Sequence, residues 1–512
     1  MNPFMSLGVL RFVAVTLLVG VGLLLSNVPA AQAQKRGGTL KVAIETKLRG
    51  FDSPTAQVIW PTASAPMLEP LFLLNPETGK PVPHLGTSMA PDKDGKSWTV
   101  KLVKGVKFHD GTPFNAAAVA FNYNRLLDPK MGCRCRAFIS TVTKVEAVND
   151  TTVKFHIKHP YAAFPGVVTG VQVFQLIHSP AAIKKYGKDY NSHPVGTGPF
   201  KFVEWIPGDR LVVERNENYW KKGLPYLDKI IIRPIPDTES RYASLLSKQV
   251  DVIWTDRPAH ILKAKKDKRV QVLRHQANGA LTTFLNHSKP PLDDPRVRTA
   301  LQLAENNELF VNATRKGVNP PVDHPFGNLQ CPGFSWPKQD IEKAKALIKE
   351  YGKPVKVVYT HTTTERGKQA ALIRQQFYKK IGVELVTDPV DQATNIRKVV
   401  TGDFMMAGWR IVPESDAFAD IQTVGTFYSK SPANYGKYNN PLMDKLVIGG
   451  RVTMDPKKRG GLYCKIAGLV AKDVPILYNG ANVSHAIFLP DVKGLPLPIA
   501  GLIDAHRVWL DR

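Results

Sequence analysis

The chain has 512 residues, with 69 Lys and Arg against 43 Asp and Glu, a formal net charge of +26 and 43% hydrophobic residues. That length is more than one hydrophobic core serves, so two or three structural units are expected. The cations are spread along the whole chain without a zinc-finger or RNA-recognition signature, which argues against nucleic acid and leaves a surface property that favours acidic solutes or an anionic membrane surface.

In chain order, Phe12 to Leu25 is an uncharged apolar run, preceded by Arg11 and followed by Ala31, Gln32 and Ala33. It is short for a bilayer span and ends in an A-x-A site, the pattern of a secretory signal (residues 1–33) cleaved after Ala33. The first cysteine is Cys133, so no lipid anchor is expected, and no later segment is long and apolar enough to cross a membrane. After Gly37 and Gly38, Thr39 to Ile44 reads as a strand. Trp98, Val100 and Leu102 alternate with Thr99, Lys101 and Val103, a half-buried strand. Lys104-Gly105 turns the chain, Val106 to Phe108 reads as a returning strand, and Asp110-Gly111 turns it again. Asn115 is placed to cap a helix whose Ala116, Val119, Tyr123, Leu126 and Leu127 share a face and which Asp128-Pro129 ends.

Cys133 and Cys135 are two apart, a spacing that puts their side chains on one strand face without easy bonding. Structural or unpaired thiols are expected for all four cysteines, with pairing not assignable. Val142–Val148 and Thr152–Ile157 form a strand pair turned by Asn149-Asp150. Pro194 to Phe200 holds two glycines, expected to supply torsions closed to other residues in a tight structural turn. Ile230 to Ile232 reads as a strand covered on both faces. A helix from Thr238 to Lys248 is followed by a strand from Gln249 to Trp254, and Lys263 to Arg269 reads as a solvated helix face.

Composition changes at Ala277 to Phe284. Beyond it, a helix begins at Asp340 and is stopped by Gly352. A βαβ unit follows, in Val355–Tyr359, Gln369–Lys380 and Val383–Val386, with Gly382 ending its helix. Ligands of open α/β sheets sit beyond the carboxyl ends of strands, which points to Thr360–Thr364 and to the segment after Phe404–Trp409. No Gly-x-Ser-x-Gly, His-Glu-x-x-His, Walker or Cys-x-x-Cys motif is present. The acid pair Asp293-Asp294 sits beside Pro295 as a turn or cap, and the thirteen histidines are dispersed without metal-ligand spacing.

The wording of several segments is specific. Gly37 to Leu40, Phe51 to Pro54, Trp98 to Asn115, Pro194 to Phe200, Arg210 to Trp220 and Lys229 to Pro234 occur in this order, followed by Pro295 to Ala300, Asn434 to Asn439 with Asp444, and Asp473 to Ile476. Together they resemble the family 5 extracellular solute-binding proteins, the peptide/nickel-type receptors of ABC importers. The resemblance implies an α/β, two-lobed periplasmic binding protein fold of type II, the large peptide-receptor type with an extra domain. It divides the chain into lobe I (35–68, 187–278, 482–512), the extra domain (69–186) and lobe II (279–481).

It further implies a monomeric periplasmic receptor that binds short peptides between its lobes, needs no cofactor or metal, catalyses nothing and hands its ligand to an ABC permease. An anionic or other non-peptide solute is the alternative, and a secreted hydrolase a distant one. The carried-over wall of the pocket is Trp409, with Val58, Trp60 and Phe138 at matching positions and His361 at a strand end. The family's acid for the ligand ammonium falls on Val412, so that anchor is absent or has moved to Glu414 or Asp416; the latter matches a turn acid of the family. Arg410 is a candidate for a carboxylate or phosphate through its planar fork, or else a solvated surface cation.

Overall fold

Thr39–Ile44 lies at the centre of a seven-stranded sheet in the computed structural model. The structure describes residues 34–512 except 46, 53, 56–60, 76–77, 79, 134–138, 170–174, 275–278, 322–330, 412–415, 484 and 497–504. Lys229–Pro234 and Val252–Thr255 flank the central strand, both parallel to it. Arg210–Arg215 and Phe200–Ile206 continue on one side, and His485–Phe488 and Gln271–Arg274 on the other. Leu40, Val42, Ile230, Ile232 and Val252 are buried, whereas Ile231 keeps part of its surface, so the 229–234 strand is covered fully on one face only.

A second lobe is built on a five-stranded sheet in the order Val383–Val390, Val355–Thr362, Met406–Arg410, Gly279–Leu285, Ile476–Asn482. Gly279–Leu285 follows the first-lobe edge strand Gln271–Arg274, and Ile476–Asn482 precedes the first-lobe strand His485–Phe488. These two second-lobe strands pair antiparallel from Gly279↔Asn482 onward. The chain therefore passes between lobes twice at adjacent positions, the connectivity of a hinge.

Between the first two strands of the first-lobe sheet runs a separate unit, a four-stranded antiparallel sheet of Gly86–Pro91, Ser97–Leu102, Thr152–Ile157 and Val142–Asn149. Helix Ala116–Leu127 packs on it, setting Tyr123 edge-on against Phe155 at 4.9 Å. Asn115 caps this helix by accepting from the Ala118 amide at 3.0 Å, and Asp128 ends it. Asp294 and Asp340 cap their helices in the same manner. Gly352 and Gly382 stop theirs with φ of 75° each, a conformation that a Cβ disfavours.

Four local expectations are corrected. Val106 to Phe108 forms no strand: Lys107 makes a single bridge to Pro113, and Ser97–Leu102 takes its partners from 86–91 and 152–157 instead. Gly196 and Gly198 do not use a left-handed torsion. A Cβ on either would lie 2.2 Å from the Met67 carbonyl oxygen or 2.5 Å from that of Pro66, so close backbone approach demands them. Cys331 and Cys464 are bonded to each other across 133 positions, and Cys133 is also oxidised, its partner lying outside the described residues. Local spacing carries no information about such distant approaches. Of the 263–269 run only its start is helical; helix Pro258–Ala264 ends there, and Arg269 folds back on Asp267 at 2.7 Å.

Two buried carboxylates weld the extra unit to the first lobe: Asp52 of the lobe, paired with Arg125 of the unit's helix at 2.6 Å, and Glu69. Glu69 accepts from Thr197 Oγ1 at 2.8 Å, Tyr219 Oη at 2.7 Å and Trp220 Nε1 at 3.0 Å, and meets His84 Nε2 at 2.8 Å. On the other side, the backbone of Ala162 bonds to the Arg451 carbonyl oxygen at 2.9 Å. The Arg451 guanidinium lies 5.2 Å from the Tyr161 ring while pairing with the fully buried Asp420. The extra unit thus touches both lobes.

Burial alone would raise the Glu69 carboxyl, but the charge and hydrogen bond of His84, with Tyr219 and Trp220, outweigh it and bring the group down to about 2 from 4.5. Because the folded value is depressed, this stabilisation is present above the ordinary glutamate range and is lost as pH falls through the folded value. The shift corresponds to about 3 kcal/mol. Glu69→Gln should lower the unfolding free energy at neutral pH by about that much and flatten the acid limb of the stability curve measured by urea titration. An unaltered acid limb would remove Glu69 as a weld.

Candidate functional site

The parallel strands Val355–Thr362 and Met406–Arg410 end side by side in the second lobe, delivering His361 and Thr362 from one and Trp409 and Arg410 from the other. Helix Glu365–Lys379 starts directly beyond, capped by Thr364, whose hydroxyl accepts from the Gly367 amide at 3.2 Å. Arg366, Ala370 and Arg374 recur every four residues, so one face of this helix lines the same space. Helix Asn307–Arg315 adds Phe310, Thr314 and Arg315, and helix Gln392–Thr401 adds Gln392, Asn395 and Ile396. Together they enclose a cavity of about 300 Å³. Gly367 is required here because a Cβ would lie 2.0 Å from the Thr362 carbonyl oxygen.

The floor is a buried ion pair. Arg374 donates from Nε to Glu305 at 2.7 Å and from Nη2 to Asn479 Oδ1 at 2.7 Å, while Tyr378 donates to Glu305 at 2.8 Å. The Arg374 guanidinium carbon lies 4.5 Å from the Phe310 ring centroid and 4.8 Å from that of Tyr359, a cation–π contact on each. Burial opposes its charge, but Glu305 and the neighbouring tyrosines win and its proton is held more tightly than usual.

The mouth has a different balance. Asp256, directly after the first-lobe strand Val252–Thr255, reaches three second-lobe arginines. Arg366 hydrogen-bonds to it, and Arg315 and Arg410 approach it at 3.7 and 3.9 Å. Burial pushes the Asp256 carboxyl up; Arg366, Arg315 and Arg410 outweigh it and hold the group well below the usual aspartate range. Burial and the neighbouring Arg366 push Arg315 down to about 9, still cationic at neutral pH. Guanidinium groups of this kind offer anions planar, charge-assisted donors.

Three residues expected from the sequence, Trp409, Arg410 and His361, line this one cavity. Trp409 is half-buried near Phe284 and Tyr435, at 6.1 and 6.2 Å. His361 is buried, its Nδ1 lies 3.0 Å from the Thr362 carbonyl oxygen, and its ring stacks on Tyr359 at 5.5 Å. Arg410 is half exposed yet faces Asp256, so it is not a purely solvated cation. Asp416 opens helix Asp416–Phe427, its side chain outside the described part; Val58, Trp60, Phe138, Val412 and Glu414 also lie outside the described residues.

Sequence reading missed Asp256, Arg315, Arg366 and Arg374. Arg366 carried a signal: a cation in the first turn of a helix opposes the macrodipole and calls for another reason. Asp256 sits at a strand's carboxyl end, the other available cue. Arg315 and Arg374 lie on otherwise ordinary helix faces. Replacing Arg374 with Met should cost about 3–5 kcal/mol because Glu305 is left buried without its cation, read from urea unfolding; a loss below about 1 kcal/mol would show that Glu305 is not held by this pair.

Residues 80–434 match the model of bacterial extracellular solute-binding proteins, family 5 Middle. The glutathione-binding protein GsiB of Pectobacterium atrosepticum is 31% identical over 414 residues, spanning 77% of this chain and 79% of the relative. GsiB of Escherichia coli K12 is 28% identical over 416 residues, 76% and 78% of the two chains. In three dimensions the chain is similar to the ABC transporter substrate-binding protein CtaP of Listeria monocytogenes, with a TM-score of 0.80, 26% identity and coverage of 93% and 100%. Helicobacter pylori DppA, solved with the peptide STSA, gives 0.81 at 24% identity, covering 93% and 99%. Ordered motifs, two-lobed architecture and these likenesses converge: the chain belongs to the bacterial extracellular solute-binding proteins of family 5.

Proposed function

We propose that this protein is the periplasmic receptor of an ABC importer that takes up short peptides, gripping each in the cavity beneath Trp409 and delivering it unchanged to a membrane permease. The observation that carries this reading is the cavity's position. Its walls come from the second lobe, while Asp256 of the first lobe pairs with three of the arginines that line it, so both lobes bring charge beside an occupant. Hinge closure over a bound solute follows, with the ligand stabilising the closed state by its differential affinity. A volume of about 300 Å³ is at the small end for ligand sites and suits short peptides. The glutathione-binding relatives point to the same size class.

In this reading residues 1–33 are a cleaved export signal, the mature chain is a monomer without a lipid anchor, and 35–68, 187–278 and 482–512 move as one body against 279–481. Trp409, His361 and Arg410 contact the ligand. No helix among the described residues is long and apolar enough to cross a membrane, and no cluster of metal-ligating residues occurs among them.

A thermal-unfolding screen of the mature protein against di- and tripeptides tests the proposal. A cognate peptide at a hundredfold excess over its dissociation constant should add about 2.7 kcal/mol of apparent stability and be recovered intact by mass spectrometry. Cleavage of the peptide, or no shift with any short peptide, would contradict it.

A further inference from the structure

Beyond the peptide reading, on which this inference rests, the charges at the cavity define which peptides enter. Arg315, Arg366 and Arg410 converge on one carboxylate, Asp256, so three positive charges face one negative. The deeper Arg374 is matched by Glu305, and nearby Lys398 by Asp388 at 2.6 Å. Among the described residues, Asp256 is the one carboxylate paired with these three arginines, which leaves the cluster an excess of two positive charges. We infer that the cognate ligand is a net-anionic short peptide whose two or more carboxylates occupy the Arg315–Arg366–Arg410 cluster, with Asp256 neutralising the remaining charge and tying the first lobe to the same cluster.

Two further observations support this. Arg315 is only 2% exposed, and its Nε has no hydrogen-bond partner among the described residues, nor has Nη1 of Arg374. A buried guanidinium N–H without an acceptor is costly, and an acceptor placed in the cavity relieves that cost. Conversely, the carboxylates at the cavity among the described residues, Asp256 and Glu305, are both engaged by guanidinium groups. Among the described residues, a ligand ammonium entering beside them meets surplus positive charge and no open acid. Recognition therefore runs through the anionic end and side chains of the peptide, and a lysine-bearing peptide is repelled.

The test is calorimetric titration of the mature protein with matched tripeptides, Ala-Glu-Ala against Ala-Gln-Ala and Ala-Lys-Ala, with glutarate as a non-peptide dicarboxylate. Ala-Glu-Ala is expected to bind at least tenfold more tightly than Ala-Gln-Ala. That preference should shrink in Arg366→Gln and, as a second variant at a half-exposed position that preserves the fold, in Arg410→Gln. Added salt should weaken the acidic peptide more than the neutral one. Equal binding of Ala-Glu-Ala and Ala-Gln-Ala, tighter binding of Ala-Lys-Ala, or no binding of any acidic probe overturns the inference. Binding of glutarate with no binding of any peptide instead overturns the peptide reading and leaves the charge assignment standing.

Discussion

Asp256 extends from the end of a first-lobe strand into three guanidinium groups of the second lobe, and the rest of the site is arranged around that contact. Unpaired, three arginines this close repel one another and lose hydration on burial. One carboxylate relieves part of that cost and leaves charge to spare. The cluster therefore joins the two lobes and keeps surplus positive charge beside the cavity. The neutral pair Arg374–Glu305 underneath fixes the helix carrying Arg366 without adding to that surplus.

The framework around the cluster follows the same logic of burying charge only where it is matched. Glu69 joins the extra unit to the first lobe through His84, Thr197, Tyr219 and Trp220, and Asp420 with Arg451 meets Tyr161 where that unit touches the second lobe. Each is a single buried carboxylate satisfied by several donors, the condition under which a buried ion is tolerated. The apolar cores of the sheets supply the bulk of stability, and these carboxylates set how the units are joined. The chain crosses between lobes twice at neighbouring positions.

Much of this was readable from local pattern. Alternation at Trp98, Val100 and Leu102, the caps Asn115, Asp294 and Asp340, and the helix stops Gly352 and Gly382 depend on neighbours a few residues away, and they appear where the pattern puts them. The carboxyl-end rule pointed to Thr360–Thr364 and to the segment after Trp409; His361 and Thr362 of the first and Arg410 of the second line the cavity. What escaped was whatever depends on distant chain segments meeting. The Cys331–Cys464 bond, the Pro66–Met67 backbone that excludes a Cβ at Gly196 and Gly198, and the approach of Asp256 to Arg366 across 110 positions leave no local trace. Arg410 shows the boundary case: its type suggested anion binding, but only the fold supplied the acid it faces.

A crystal structure of the protein with a bound acidic tripeptide tests the central claim most directly. The account predicts ligand carboxylate oxygens at about 2.7–2.9 Å from guanidinium nitrogens of Arg315, Arg366 or Arg410, with Asp256 still bridging the lobes at the same cluster. A ligand whose carboxylates lie away from all three arginines, or whose ammonium sits among them, would contradict it.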